Sequence, residues 1–459
     1  MLSRVTGCCL RHCMDKMAIY NRLPIFMQNW ACSLEGAHIV TTRFGSSFRR
    51  LLQDYEMRVR WSPEQIAAYR DERLRIMVKH CYETVPYYKN VFDEGGINPV
   101  CIKGLEDLPK LPLLTKKEVN RAPDQFLSSA YVGKRIKHHT SGTTGSGFVF
   151  YTSPEAISEQ WACWWRFRRS LGIEFGTPQA MFGTQKVVPT TQTTPPYWRE
   201  NKPSSQVYFS AFHEREENLA EYCREIQRRH IPWIHGYPSL LTPLASFAEK
   251  NGMLFPDIRF VTTGAENLYE HQAELIERAF GIRPHQHYGM CEGVANFSQD
   301  DKYRMFVDED YAAVEFIDER RVVGTTLTNM AMPLLRWDTG DVAEVKTLPD
   351  GKREIVSLDG RTEDSVLLPD GTTVGKLDHV FKDTVHIAEA QIHQNSDLSI
   401  TVYAVKTQED VSADERKALQ QFEASFTCAV PINFKYVAEI PRANSGKLRF
   451  VVSEARRGC

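Results

Sequence analysis

The sequence predicts an α/β protein, with a large N-terminal domain of layered sheets and helices and a small C-terminal α+β domain. Three observations carry this. From about residue 135 to 290, short apolar strands alternate with amphipathic helices and glycine-marked loops, as in layered α/β folds. From 303 to 358 the β-type runs "AAVEFIDE", "RVVGTTLTN", "LLRWDTGDVAEV" and "REIVSL" come in close succession. Past the polar stretch "SLDGRTEDSV" (357–366), a β-β-α-β pattern remains, long enough for a small domain of its own. The expected organisation is a loose tail or mis-assigned start over 1–16, a main domain over 17–359 and a small domain over 360–459. A chain of 459 residues exceeds what one core usually serves, which agrees with the division.

Local signals place each element along the chain. "MLSRVTGCCLRHCMDK" has no apolar stretch and makes a poor signal peptide, so Met17 competes with Met1 as the start. Residues 62–84 read as a helix, with Ser62 as N-cap, Pro63 at the first helical position and Glu64 in the first turn. "VPYYKNVFDEGGINP" breaks it. A proline-punctuated connector (107–119) leads into a helix capped near Thr115. "RIKHHT" (135–140) and "FVFYTS" (148–153) are strands flanking a loop, and Ser153-Pro154-Glu155 starts a further helix by the same logic. Helices are expected over 215–230 and 239–251, with the strand and turn "IPWIHGYPS" between them. "IRFVTTGAENL" is a strand, and "YEHQAELIERAFG" a helix stopped by Gly281. In the last domain come a hairpin turning at "PDGT", two strands around "HQNSDL", the helix "SADERKALQQFEASF", the strand "INFKYVAEI" and the loop "PRANSGKLRF".

Composition excludes several classes. A 42% hydrophobic and 25% charged content is that of an ordinary globular chain. The net charge of −2, with Lys and Arg spread along the chain, leaves no electrostatic footprint for nucleic acid. No apolar run is long enough for a membrane span. Eleven scattered cysteines without a C-x-x-C pair read as reduced thiols, so the expected location is cytoplasmic.

The loop "TSGTTGSG" (140–147) concentrates glycines and hydroxyls beyond what a turn needs. Glycines let the backbone approach an oxyanion, and Ser and Thr add donors, which together make a phosphate cradle. A kinase-type P-loop is refused, because no Lys comes after the glycines and the next segment reads as a strand. A hairpin loop with incidental hydroxyls remains the plain alternative. Further motifs come in order: "TGAENL" (263–268), "YGMCEG" (288–293), "RWDTGD" (336–341), "GRTED" (360–364) and "PRANSGKLRF" (441–450). With the loop, they resemble the motif series of the adenylate-forming superfamily of acyl-CoA synthetases, luciferases and peptide-synthetase adenylation domains. "LPIFMQNW", "RIMVKHCYETVPYY", "LPLLTKKEV", "YWREN", "HGYPSLL" and "NMAMPLLRWDTGD" resemble its phenylacetate–CoA ligase branch, and within it the CapK-like proteins of surface-polysaccharide clusters. The resemblance runs from about Met17 to the C-terminal loop.

That resemblance implies a two-step reaction and a role for each matching residue. A carboxylate attacks the α-phosphate of ATP, giving acyl-AMP and pyrophosphate, and a nucleophile then displaces AMP. By the same resemblance, Ser141, Gly142, Thr143, Thr144 and Gly145 would hold phosphates, with Thr143 among the catalytic groups. Glu292 would be the Mg²⁺ carboxylate, since a hard cation bridging phosphates needs one or two carboxylates. Tyr288 and Gly289 would face the adenine on one side, and Gly264, Ala265 and Glu266 on the other. Asp341 would accept from the ribose hydroxyls, and Arg361 would reach the ribose or phosphate edge. Arg336 is as well explained by a structural ion pair. Lys447 would be the catalytic lysine, carried on a mobile C-terminal domain, with Glu363 or Asp364 at the hinge. Cys291 stands where the family has Ser or Thr, and the lysine usual after the phosphate loop is missing. Trp161, Trp164, Trp165 and Tyr197-Trp198 are acyl-pocket candidates, although core packing explains them at least as well. Tyr237, Pro238 and Ser239 sit at a strand end, where open α/β sheets bind ligands.

The implied function is an ATP- and Mg²⁺-dependent ligase passing the acyl group to coenzyme A. Its alternative passes the group to an amine or hydroxyl on a sugar or carrier. A catalytically inactive nucleotide-binding protein is the reading of another class, and Lys447, Glu292 and Asp341 speak against it. The carboxylate, the acceptor and the oligomeric state, a homodimer included, cannot be read from the sequence.

Overall fold

The computed structural model describes residues 17–140, 148–183, 185–318, 320–361, 366–370, 373–374, 377–381, 384, 386–406, 408–426, 428–441 and 448–455. They fall into two compact units. One takes the chain up to Ser46 and returns for Gly172–His285; the other takes Ser47–Leu171 and Gln286 onwards.

The first unit is a parallel α/β layer. Strands Gln179–Gly183, Gln206–Ser210, Trp233–Gly236 and Phe260–Thr263 run parallel, and Trp198–Asn201 pairs antiparallel at the edge. Their order is Trp198–Asn201, Gln206–Ser210, Gln179–Gly183, Trp233–Gly236, Phe260–Thr263. The helices Glu216–Arg228, Pro238–Lys250 and Glu270–Phe280 supply Leu219, Tyr222, Ile226, Leu240, Leu244 and Ile276 to one core with Phe182, Phe209, Ile234 and Val261. The N-terminal helix Ile25–Arg43, for which the residue pattern raises no expectation, packs on the edge strand. Gln28 accepts from Arg199 Nε at 2.6 Å, and Asn29 Oδ1 accepts from Glu200 N at 2.9 Å.

The second unit is mostly antiparallel. Helix Pro63–Thr84 starts as expected: Ser62 accepts from Gln65 N while the Gln65 side chain reaches back to Ser62 N, a full capping box. Thr115 and Glu118 make another at the helix Lys116–Arg121. "VPYYKNVFDEGG" does not simply break the chain. Pro86 sits at the first position of a new helix, Pro86–Glu94, so the proline starts an element as well as ending one. Helix Ser46–Arg58 is also without a sequence expectation. Strands Ile136–Thr140 and Phe148–Thr152 form an antiparallel hairpin around the predicted loop. Helix Pro154–Ser170 is capped by Ser153, which accepts from Ala156 N. Strands from His285–Gly289 to Arg353–Arg361 build an antiparallel sheet, and the connector residue Leu114 bridges to Trp337 beside it.

The C-terminal elements have a sheet and a core of their own. Strands order as Ile432–Tyr436, Ile400–Lys406, Ile387–Gln394 and Val451–Ser453, with helix Ser412–Ser425 packing Ala418 and Phe422 against Ile392, Ile400 and Val402. Val451–Ser453 is a strand beyond the β-β-α-β expectation. It pairs parallel with Ile387–Gln394.

Candidate functional site

The first unit offers a crevice-forming edge. From the strand Gln179–Gly183 the sheet grows one way through Gln206–Ser210 and the other way through Trp233–Gly236. Neighbouring strands at such a reversal send their connections to opposite faces, which opens a crevice outside their carboxyl ends. Gly236 stands at that edge in register with Phe182 and Thr263. A Cβ there would come within 2.7 Å of the Phe182 carbonyl oxygen, so only glycine lets the strands pass so closely. Tyr237 and Pro238 then turn the chain into the helix Pro238–Lys250, which has no side-chain cap of its own. The cap comes from Glu266, whose Oε2 accepts from Ser239 N at 3.1 Å. A carboxylate at a helix N-terminus meets both an orphan N–H and the positive end of the dipole. Gly264 is buried and Ala265 exposed, and Ala265 holds a left-handed φ of 67° to bring Glu266 there.

The second unit positions Tyr288 and Asp341. The Tyr288 ring lies on Phe297, with centroids 4.6 Å apart, and its hydroxyl donates to Asp341 Oδ2 at 2.6 Å. Burial and the Asp341 charge push the Tyr288 hydroxyl well above its usual range, so it stays protonated as a donor. Asp341 is 9% exposed and comes after Gly340, which holds a left-handed φ of 75° within the strand Trp337–Thr347. Asp341 N donates to Thr339 Oγ1 at 3.0 Å, and Arg361 is its register partner across the sheet. Gly289 is held from behind. A Cβ there would meet Asn296 Oδ1 at 2.7 Å and Trp164 Nε1 at 3.1 Å. Half-buried Glu292 and exposed Cys291 sit on the next turn, and the Glu292 carboxylate adds to the upward push on Tyr288.

Behind this strand end lies a charged network that sequence reasoning missed. Asn296 accepts from Trp164 Nε1 at 2.8 Å and donates to Asp308 Oδ2 at 2.6 Å. Arg166 joins Asp308 at 2.7 Å and Asp310 at 2.8 Å, and Arg58 joins Asp310 at 2.7 Å. Nothing local in the sequence could have paired Arg58 with Asp310; only the adjacent acids in "VDEDY" hinted at a cation. His287, between Trp164 and Phe167, is pushed down to about 3 by burial and by the Arg168 charge, and is neutral at ordinary pH.

Other candidates resolve differently. Arg336 is buried in a forked pair with Glu315, both Glu315 oxygens lying 3.0–3.1 Å from Nε, so the structural ion pair describes it. Trp165 is buried with the Arg168 guanidinium 5.2 Å over its ring, Trp164 serves Asn296, and Tyr197 stacks on His213 at 4.6 Å. Ser141, Gly142, Thr143, Thr144, Gly145, Glu363, Asp364 and Lys447 lie outside the described residues, as does the side chain of Arg361. Among the described residues no three His, Cys, Asp or Glu side chains group as a metal cluster, and no helix is long and apolar enough to cross a membrane.

Comparison with known proteins places these features. Residues 366–454 match the family model of the CapK C-terminal domain. Protein CapK of Staphylococcus aureus is 24% identical over 458 residues, covering 95% of this chain and 99% of that one. The phenylacetate-coenzyme A ligase of Thermus thermophilus is 27% identical over 352 residues, 66% of this chain and 72% of its own. Among solved structures, a 2-hydroxyisobutyryl-CoA ligase in the postadenylation state, in complex with 2-HIB-AMP, superposes with a TM-score of 0.65 at 15% identity, over 84% of this chain and 89% of that one. That likeness bears on the fold, while the sequence matches bear on descent. Taken together, they show a chain homologous to CapK over nearly its full length and, over about two thirds of it, to the phenylacetate–coenzyme A ligases.

Proposed function

We propose that this chain is an ATP-dependent ligase that activates a carboxylate as its acyl-AMP, with release of pyrophosphate, and passes the acyl group to coenzyme A. The observation that carries the reading is the pairing of half-buried Tyr288 with buried Asp341 at the family's motif positions, joined at 2.6 Å. A carboxylate within the strand Trp337–Thr347, fixed by a tyrosine hydroxyl whose flat ring lies beside it, offers an acceptor for ribose hydroxyls and a face for a base.

In the first half-reaction a carboxylate oxygen bonds to the α-phosphorus and the bond to pyrophosphate breaks. Negative charge accumulates on phosphoryl oxygens, so the protein must supply donors and cations aimed at them. Ser141, Thr143 and Thr144, with the backbone of Gly142 and Gly145, take the phosphates. Asp341 accepts from the ribose. Tyr288 and Gly289 flank the base, and Arg361 serves the ribose or phosphate edge. Glu292 fits Mg²⁺ chemistry as a half-buried single carboxylate, because that ion keeps most of its ligands as waters and phosphate oxygens. Bound there, Mg²⁺ would neutralise phosphate charge. Lys447 acts on the carboxylate and α-phosphate in adenylation only, if residues 360–459 swing about Glu363 or Asp364 between half-reactions.

The test is ATP–pyrophosphate exchange over a panel of carboxylates, with hydroxylamine to trap the activated acyl group. Exchange and hydroxamate together are expected for at least one acid. Neither across a broad panel refutes the proposal. The acceptor is tested separately. The match to CapK spans 95% of the chain, against 66% for the Thermus thermophilus ligase, which favours adding amines and sugar hydroxyls beside coenzyme A. Acyl transfer to those acceptors but not to coenzyme A would make the amide- or ester-forming alternative correct.

A further inference from the structure

The strand Phe260–Thr263 treats its two threonines differently. The Thr262 hydroxyl lies 2.8 Å from both Trp233 Nε1 and His235 Nδ1 and serves the fold. Thr263 is fully enclosed, at 0% exposure, and its hydroxyl has no hydrogen-bond partner. Three residues on, Glu266 is divided in the same way. Its Oε2 caps the helix Pro238–Lys250 through Ser239 N, while its Oε1 is enclosed and without a partner. Buried polar atoms are nearly always satisfied, and an unsatisfied carboxylate oxygen is among the costlier exceptions. Two such atoms in one strand-end turn, at the carboxyl edge of the parallel sheet, call for a ligand that brings its own donors.

We infer that Thr263 and Glu266 form a subsite for a hydroxyl or amino group on the substrate, so that the acid this protein activates is a hydroxy- or amino-substituted carboxylic acid. The inference rests on the proposed carboxylate activation. A carboxylate oxygen only accepts, so the ligand atom opposite must carry N–H or O–H. The adenine 6-amino group is the other source of such a donor. It is flanked by ring nitrogens that are themselves acceptors, and an amide side chain, with its donor beside its acceptor, matches that edge better than a carboxylate does. An isolated hydroxyl or ammonium has no such conflict with Glu266. Thr263, able to donate and accept, completes its coordination.

The experiment compares matched acids: phenylacetate with its α-hydroxy, 4-hydroxy and 4-amino derivatives, and butyrate with 3-hydroxy- and 3-aminobutyrate. ATP–pyrophosphate exchange is measured for the native chain, Glu266→Gln and Thr263→Val, with ATP and with ITP, which lacks the 6-amino group. Glu266→Gln retains an oxygen for Ser239 N, and Thr263→Val retains the shape of the side chain. In the native chain, kcat/KM for at least one substituted acid should exceed that of its parent by tenfold or more. That ratio should fall towards one in both variants, while the ATP-to-ITP ratio stays as in the native chain. No preference in the native chain, or a preference that survives both substitutions, overturns the inference. So does an ATP-to-ITP ratio that collapses while the acid ratio holds, since the pair then reads adenine. If no acid supports exchange, the activation reading fails on its own, and calorimetric binding of the same acids decides the subsite. Tighter binding of a substituted acid, lost in the variants, upholds it; equal or absent binding overturns it.

Discussion

Asp341 is where the proposed nucleotide site is most exposed to refutation. Replacing it with Ala removes the proposed ribose acceptor. Hydrogen bonds to a charged acceptor contribute about 1.5–3 kcal/mol each, and at 9% exposure solvent screens this carboxylate little. Its charge is already shared with the Tyr288 hydroxyl at 2.6 Å, which argues for a total near ~2–3 kcal/mol. AMP and ATP should then both bind about thirty- to a hundredfold more weakly. The same substitution strands the buried Tyr288 hydroxyl, at a cost of about 1–3 kcal/mol of stability. Asp341→Asn separates the two effects, because its amide oxygen can still accept from Tyr288 while the charge is lost. The assay is calorimetric titration with AMP beside urea unfolding for native, Asp341→Ala, Asp341→Asn and Tyr288→Phe proteins. Tyr288→Phe should cost stability and weaken AMP less than tenfold. A folded Asp341→Ala protein that binds AMP within threefold of native would remove Asp341 from the site, and the reasoning from the pair would fail with it.

Three further outcomes are expected. Asp310→Ala should cost about 3–5 kcal/mol in urea unfolding, because it leaves the buried Arg58 and half-buried Arg166 guanidinium groups without that carboxylate; a loss under 1 kcal/mol would show that the network relaxes around it. His287 is depressed to about 3 in the fold and protonates near 6.5 when unfolded, so its stabilising contribution is full above about pH 6.5, shrinks as pH falls through that window, and is gone near 3. Between pH 6.5 and 5 the native chain should therefore lose about 2 kcal/mol more than His287→Gln, and parallel pH curves for the two proteins would refute this. Lys447→Ala should cut acyl-AMP formation by about a hundredfold while sparing transfer from supplied acyl-AMP; equal slowing of both halves would refute a step-specific lysine.

What the sequence made legible was local. Ser62 and Thr115 announced their helices because a capping box is written within four residues, and both are present. The strand pair around residues 136–152 and the helix from Pro154 were legible for the same reason. The helix Pro86–Glu94 was hidden because Pro is both a stop for the preceding helix and a favoured first residue of the next. Helix Ile25–Arg43 was hidden because none of its large apolar residues is fully buried. Gln28 and Gly36 are its buried positions, while Phe26 and Trp30 are 71% and 66% exposed. A reading that looks for an apolar inward stripe finds none.

The candidate site could be written from the sequence as a list of residues but not as an arrangement. Motif spacing put Tyr288 and Asp341 in order along the chain, but not the hydroxyl of one on the carboxylate of the other. Glu266 shows the difference best. As a motif letter it is one acid in "TGAENL". In the fold its two oxygens have separate fates, one capping a helix at Ser239, 27 residues earlier in the chain, and one enclosed without a partner. No spacing rule distinguishes two oxygens of one side chain; the parallel register that sets Gly236 against Thr263 does, because it brings the helix start to the turn after the neighbouring strand. In the proposed subsite the chemistry of recognition therefore depends on strand pairing, and the proposal expects relatives sharing the motif to share the substrate class only if they also keep Thr263 and the helix start at Ser239.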